Sequence, residues 1–200
     1  MRNKAHILLV VVLFLFVVPI VLEAQTDSAS SREYRIKAAF LYNFIKFVDW
    51  PKEKTTNNNS ITIGIIGRDQ FGMAFEPVDN KQVKGKKVII KRFKGTEELK
   101  QSSGQIEAIR KCHLLFVCRS EKELLREIID IVKCHSVLTV GDMKGFLESG
   151  GIINFLIEDE KVCFEINNTA AKQAKLEIRS KLLRLAKRVI EEDTSNKAKN

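Results

Sequence analysis

Apolar positions in this chain fall in two rhythms. Short unbroken runs of strand length alternate with stretches that repeat at helical spacing. The stretch from Val137 to Asn167 organises the rest. Val137 to Val140 is an apolar run closed by Gly141-Asp142, and Gly145, Gly150 and Gly151 punctuate the loop that follows. Two more runs, Ile152 to Ile157 and Val162 to Ile166, are separated by the polar link Glu158 to Lys161. Such close runs predict an antiparallel hairpin.

Upstream, Ser31 to Asp49 predicts a helix, ended at Trp50-Pro51 because the residue before proline avoids helical angles. At 100° per residue, Ile36, Phe40, Leu41, Phe44, Ile45, Phe47 and Val48 cover more than half its circumference, and Arg35, Asn43, Lys46 and Asp49 share the rest. Lys37 falls inside the apolar arc. An arc this wide implies burial against the sheet and also against another helix or another molecule. The plain reading is a deeply packed helix with Lys37 snorkelling outward. The functional reading makes part of the face a self-association or partner surface.

Strands are expected at Ile61 to Ile66, Val88 to Phe93, Leu114 to Val117 and Val137 to Val140. Between them lie a polar loop over 52–60, a short helix reaching Asp79, a weak helix over Thr96 to Lys111 and a clear amphipathic helix over Glu121 to Val132. After the hairpin, Asn168 is expected to cap a helix over Thr169 to Ala174. Leu176 to Ile178 reads as extended, and Ser180 to Ile190 as a last helix. Alternating strands and helices imply an α/β fold, a Rossmann-like three-layer sandwich with a mainly parallel sheet and an antiparallel edge hairpin.

The first 24 residues follow a different logic. Arg2 and Lys4 precede the apolar run Ile7 to Leu22, and Ala24 offers a small residue for cleavage, which is the pattern of a secretory signal peptide. The run is shorter than the ~20 residues of a spanning helix. The expected organisation is a signal peptide over 1–24, one domain over 25–190 and a polar tail over 191–200. Export to the periplasm follows, and with it access to an oxidising compartment. The formal charge of +9 reads as a solvated basic surface, because the cations are scattered among acids. Nucleic acid is not an expected partner of an exported protein. An acidic partner or an anionic membrane surface stays open.

Four cysteines stand at 112, 118, 134 and 163. Cys112 and Cys134 each precede a strand. If those strands are parallel neighbours, both thiols lie at one sheet edge and can bridge. Cys112 and Cys118 bracket a single strand, ~20 Å apart, and cannot pair within it. Two bridges, one or none remain compatible with the count. Cys112-His113 and Cys134-His135 bring two cysteines and two histidines together, but neighbours on a strand point to opposite faces, which disfavours a zinc site. Gly67 and Gly72 match neither glycine-rich nucleotide motif. No Ser-His-Asp, Cys-His or HExxH set can be assembled, so neither a cofactor nor catalysis is expected. Asp142 and Glu148 are the best-placed carboxylates.

Tyr34-x-x-Lys37-Ala-Ala-Phe-Leu-Tyr-Asn-Phe-Ile-Lys-Phe-Val-Asp-Trp-Pro51 resembles the opening motif of the YfiR family, the DUF4154 domain. Ile61 to Gly67, Cys112 to Phe116, Leu138 to Asp142, Gly145-Phe146, Gly150 to Phe155, Phe164 to Asn167 and Leu176 to Ala186 resemble its later segments in order, so the resemblance covers residues 34 to 187. It implies a small periplasmic α/β protein. Characterised relatives dimerise and repress an inner-membrane diguanylate cyclase by binding its periplasmic part. An outer-membrane lipoprotein relieves them, and cyclic di-GMP and biofilm formation rise. Disulfides matter to relatives, but the first-strand cysteine common in the family is Gly64 in this chain, so the usual partner of Cys112 is missing. Cys163 stands where a basic residue is more usual. An inherited switch would have to run through Cys118, Cys134 or Cys163.

Two readings of function compete. The first is a non-catalytic regulator that binds an inner-membrane sensor protein, a diguanylate cyclase or a kinase. Its contacts would come from Lys37, Phe40, Phe44, Phe47 and Trp50 of the first helix and from Asp142, Phe146 and Glu148 of the glycine-rich loop, since aromatic anchors carry interface energy. The second is a small-ligand-binding protein using loop 141–151 and the strand ends.

Overall fold

The structure, a computed structural model, describes residues 29–56, 59–95 and 102–191. The expected signal peptide, nearly all of the tail and the first third of the weak helix fall outside these residues. Helix α1 spans 29–47 and passes directly into β1 (Val48–Asp49). Pro51 then opens α2 (Lys52–Thr56), where a loop is expected from the polar composition. Next come β2 (Ser60–Ile66), a 3-10 turn over Gly72–Phe75, β3 (Gln82–Val83) and β4 (Lys86–Phe93). Helix α3 (Ser103–Arg110) leads to β5 (Leu114–Val117). A 3-10 segment and α4 (Leu125–Val132) lead to β6 (Leu138–Gly141). The hairpin is β7 (Ile153–Glu158) with β8 (Lys161–Asn167).

Eight strands form one sheet in the order β10-β8-β7-β6-β5-β2-β4-β3, where β10 is the short strand Val189–Ile190. Five of them, β4, β2, β5, β6 and β7, run parallel. Taken in chain order these five give the doubly wound arrangement 2-1-3-4-5. The hairpin adds antiparallel pairing from Ile153↔Ile166 to Glu158↔Lys161. Asp159 and Glu160 both take positive φ (47° and 60°), as a two-residue turn between twisted strands requires.

Both faces of the sheet are covered. On one, Ala38, Leu41, Phe44 and Ile45 of α1 and Val48 of β1 pack against Ile63, Leu114, Leu138, Ile153 and Phe164. On the other, Ile109 of α3 and Leu125, Ile128, Ile129 and Val132 of α4 meet Leu115 and Val117. The same strands feed both layers through period-two alternation, which explains their unbroken apolar runs.

The C-terminal segment departs from expectation twice. Asn167, not Asn168, caps α5 (Asn168–Gln173), its Oδ1 accepting from Ala170 N at 2.9 Å. The expected helix over 180–190 is only α6 (Ser180–Leu183). The chain then turns to lay β10 (Val189–Ile190) along β8, after β9 (Glu177–Ile178) has paired with β1. The free edge of β8 offers the backbone partners: Lys187 N donates to Phe164 O, and Ile166 N to Arg188 O, both at 2.9 Å. Arg188 seals the edge with a two-pronged pair to Glu165 at 2.8 and 3.1 Å.

His113 sits at the amino-terminal end of β5, buried with Trp50 against it. Its Nδ1 accepts from Thr62 N at 3.1 Å, its ring meets Trp50 edge-on at 5.7 Å, and its Nε2 has no hydrogen-bond partner. Burial first, then Lys54 and Lys86, push its pKa down to about 4. The unfolded chain takes up this proton near pH 6.5, while the folded chain refuses it until about pH 4. Stability is therefore complete above pH 6.5 and is lost as pH falls toward 4. Between pH 7 and pH 5 the loss expected from this residue is about 2 kcal/mol. Urea unfolding at the two pH values reads it. His113→Asn, which keeps an acceptor for Thr62, should flatten the pH dependence by that amount, and an unchanged slope would show that His113 is not its source.

Candidate functional site

The carboxyl-terminal edge of the parallel strands gathers charged side chains from three separate segments. Lys37 comes from α1, Asp142 from the end of β6, and Arg119 from just after β5. The Lys37 ammonium lies 2.5 Å from Asp142 Oδ2 and 2.5 Å from Glu33 Oε1, one turn earlier on the helix. Lys37 and Asp142 side chains are each 1% exposed, so this pair is taken fully out of water. Arg119 Nε donates to Asp142 O at 2.9 Å and lies 3.2 Å from Oδ1, which accepts no aligned hydrogen bond. Two cations thus balance two carboxylates. The Tyr34 hydroxyl closes the network against Gln70 Oε1 and Asp142 Oδ2, and Lys37 also sits over the Tyr34 ring at 4.5 Å. Burial, then the Asp142 charge, raise the Tyr34 phenol well above its ordinary pKa, so it stays a neutral donor.

Beside this network, between the ends of β2 and β5, lies the place where open α/β sheets commonly bind ligands. In this chain it is filled from within. Arg68 N donates to Ser120 Oγ at 2.9 Å, and Ser120 Oγ donates to the buried Glu121 at 2.8 Å. A Cβ on Gly67, which holds φ +97°, would stand 2.5 Å from Ser120 Oγ and 2.6 Å from Glu121 Oε1. The glycine-rich loop is packed in the same way. The Phe146 ring is fully buried where Cβ atoms on Gly141 and Gly151 would come within 2.4 and 2.2 Å of it. The loop's glycines therefore house its own phenylalanine.

Of the eight partner-contact candidates, Lys37 and Asp142 meet directly, a pairing the sequence did not reveal. Lys37 turns inward, where snorkelling is expected, because Glu33 and Asp142 supply the countercharge. Lys37, Phe44, Asp142 and Phe146 are buried and cannot themselves touch a partner. Phe44 stacks on Phe155 at 5.6 Å and meets Phe164 edge-on at 5.1 Å. Phe40 is half-exposed and rests on the same two rings at 5.9 and 5.6 Å. Phe47 and Trp50 are half-exposed at the other end of α1, and Trp50 Nε1 donates to His113 O at 3.1 Å. Glu148 is exposed, 3.8 Å from Arg188. Sequence reasoning passed over Tyr34, Arg119, Gln70 and Glu33 as site residues. The available signal was their position, since Gln70 and Arg119 closely follow strands whose ends share one sheet edge.

Cys112 and Cys134, the candidate pair for a bridge, are not joined in this structure, and all four cysteines are free thiols. Cys112 is buried and turned inward: its Sγ donates to Ala108 O at 3.4 Å and would lie 2.8 Å from a Cβ on Gly64. Cys134 is exposed to solvent. Position 64 thus faces Cys112 across the β2–β5 pair, and Phe93 and Leu115 fill the space that a side chain there would need. Burial pushes both the Cys112 and Cys118 thiols up to about 12, which leaves them un-ionised and slow to exchange.

The opposite, amino-terminal edge is more open. Two cavities of about 500 and 410 Å³ share Pro51 and Lys175. The first is walled by Trp50, Lys172 and Leu176. The second is walled by Lys54, Arg110 and His135. Lys54 donates to Arg110 O at 2.6 Å and His135 O at 2.8 Å, tying together the chain beyond α3 and α4. Burial lowers its pKa to about 8. Among the described residues no cluster of His, Cys, Asp and Glu has metal-binding geometry, and no helix is long and apolar enough to cross a membrane.

Residues 34–187 match the family model described as DUF4154, YfiR/HmsC-like. No curated protein matches the sequence. Several solved structures resemble the chain, among them these two. A conserved domain protein from Vibrio cholerae O1 biovar El Tor is 14% identical with a TM-score of 0.48, the match covering 69% of this chain and 57% of that one. An ABC domain in complex with L-Trp from Streptococcus pneumoniae is 13% identical with a TM-score of 0.53, covering 74% and 59%. The chain therefore spans less than two thirds of either protein. The second match shows a common α/β fold and nothing beyond it.

The buried pair has a measurable signature. Removing one partner of a desolvated ion pair costs about 3 kcal/mol, while removing both costs less than the sum. Lys37→Met and Asp142→Asn should each lower the urea midpoint markedly, and the double variant should recover ~1 kcal/mol or more of the summed loss. Strictly additive losses would mean that the two side chains are not coupled.

Proposed function

Because the chain belongs to the YfiR/HmsC-like DUF4154 family, a family of periplasmic regulatory proteins, we propose that it is a non-catalytic regulator that binds the periplasmic part of an inner-membrane signalling protein and represses it. A diguanylate cyclase is the favoured target, so that the protein lowers cyclic di-GMP and restrains biofilm formation. On this reading residues 1–24 are removed on export and 25–190 act as one domain, working as a homodimer that an outer-membrane lipoprotein can capture.

The observation that carries the proposal is the family match over 34–187, nearly the whole described chain. Two features of the site agree with it. The crevice at the strand ends is occupied by Ser120 and Glu121, which suits a protein that presents a surface more than one that encloses a substrate. The buried Lys37–Asp142 pair joins α1 to the glycine-rich loop as one rigid unit. Outside that unit Ile36 (38% exposed) and Phe40 leave an apolar strip on α1, and Ile157 (48% exposed) extends it on the hairpin face that carries Phe155. We assign the partner contact to this strip and to Glu148 at the loop. The buried candidates Lys37, Phe44, Asp142 and Phe146 then hold the strip in shape.

The experiment is affinity capture of the exported protein from its own solubilised envelope, compared with an Ile36→Asp/Phe40→Ala variant of unchanged melting temperature. Wild type should recover an inner-membrane protein with a cyclase domain. The variant should lose at least tenfold of that recovery, as truncation of interface anchors does. Cyclic di-GMP should rise in cells carrying only the variant. A folded wild type that recovers no membrane signalling protein would turn the assignment toward a small ligand in the amino-edge cavities.

A further inference from the structure

The outer surface of α1 changes character along its length. From Tyr42 onward the surface carries aromatic rings, each with at least one lysine ammonium group above it. Lys46 Nζ lies 4.0 Å from the centroid of Tyr42, and Lys81 Nζ lies 5.8 Å from the same ring. Lys84 Nζ stands 5.8 Å from Trp50, and Lys181 Nζ 5.5 Å from Phe47. The lysines come from four places in the chain: Lys46 from α1 itself, Lys81 from just before β3 and Lys84 from the β3–β4 turn on one flank, and Lys181 from α6 on the other. Tyr42, Phe47 and Trp50 are half-exposed, and Lys81, Lys84 and Lys181 are exposed.

We propose that this face is a peripheral membrane-docking surface that recognises the anionic headgroups of a lipid bilayer. Charge complementarity and residue choice both support a bilayer over an acidic protein. Aromatic rings with an apolar body, ringed by long flexible cations, suit the headgroup boundary. Protein interfaces favour arginine and are depleted in lysine. The four cations above the rings are all lysine. The arginine of this face, Arg179, is held in a two-pronged pair with Asp49 at 2.7 and 2.9 Å. Asp49, also 2.6 Å from Lys84, is a carboxylate within the patch, and Glu177 is its register partner on β9. The inference stands on this arrangement alone and does not depend on which signalling protein is bound.

Co-sedimentation with vesicles tests it, using the protein as processed on export and purified from the periplasm. Binding is expected to phosphatidylglycerol-rich vesicles at low ionic strength, with a blue shift of Trp50, the only tryptophan. It should fall steeply with salt and be absent from phosphatidylcholine vesicles. Each lysine near an anionic surface contributes roughly fivefold, so Lys46→Gln/Lys81→Gln/Lys181→Gln should weaken binding about 100-fold. A control triple at the exposed Lys122, Lys133 and Lys161 should change it only a few-fold. Equal loss in both triples would reduce the effect to net charge and overturn the proposal. So would binding to neutral vesicles, or no vesicle binding alongside loss of envelope capture in the patch triple, which would mark an acidic protein surface. Vesicle binding that fails while capture is unaffected would remove this inference and leave the regulator proposal standing.

Discussion

A lysine ammonium cannot stay charged in a dry interior without a carboxylate, and the placement of Lys37 opposite Asp142 constrains much of this molecule. Hydrophobic burial alone would let α1 rotate or slide, because its apolar arc is wide and packs nearly as well a few degrees away. The ion pair removes that freedom. Only one rotation and one height bring Lys37 within 2.5 Å of both Glu33 and Asp142. Such a pair adds little net stability over an apolar pair of the same shape, but displacing it strands a buried charge. Its contribution is to specify where the helix sits. With α1 fixed, β1 is delivered to β9, Trp50 to His113, and Phe40 and Phe44 to the rings of the hairpin.

The carboxyl edge is closed by packing as much as by charge. Phe146 occupies the space that side chains on Gly141 and Gly151 would need, and Glu121 with Ser120 occupies the space beside Gly67. In each case a glycine is required by what the chain itself places against it, not by a ligand. This is why a loop rich in glycine at the end of parallel strands does not argue for phosphate binding in this chain. The same logic operates at Gly64, where Phe93 and Leu115 crowd the position facing Cys112.

The central parallel strands are legible in the sequence because β5 and β6 are buried at every position and read as near-continuous apolar runs. The hairpin is legible because its turn is two polar residues long. The last helix is not, because Leu182, Leu185, Ala186 and Val189 repeat at helical spacing while the exposed edge of β8 offers stronger backbone partners. Leu185, at 62% exposed, shows that the spacing did not mark a buried face. At the site, Lys37 is visible as an anomaly in an apolar arc. Its partner lies 105 residues away, and no local pattern connects the two. Phe146 and Phe44 look alike with Phe40 and Phe47 on composition, and only the fold separates core from surface. The inward turn of Cys112 and the outward turn of Cys134 depend on their own side-chain directions, which the expected neighbouring of the two strands does not determine.

The two ends of α1 serve different purposes on one rigid rod. A helix over 29–47 is about 28 Å long, and the step from Phe40 to Phe47 spans roughly 10 Å. The charge network anchors its first half to the sheet, and the β1–β9 pair anchors its end, so the rod cannot tilt without breaking one or the other. A protein resting on lipid through Lys46, Lys81 and Lys181 would therefore hold Ile36 and Phe40 at a set distance from the bilayer. Docking of that kind confines the search for a membrane-embedded partner to a plane. The two ends differ in their cations. The exposed Arg32 and Arg35 flank the strip at Ile36, while lysines gather over Tyr42, Phe47 and Trp50 at the far end. Arginine suits a protein contact, in which lysine is depleted.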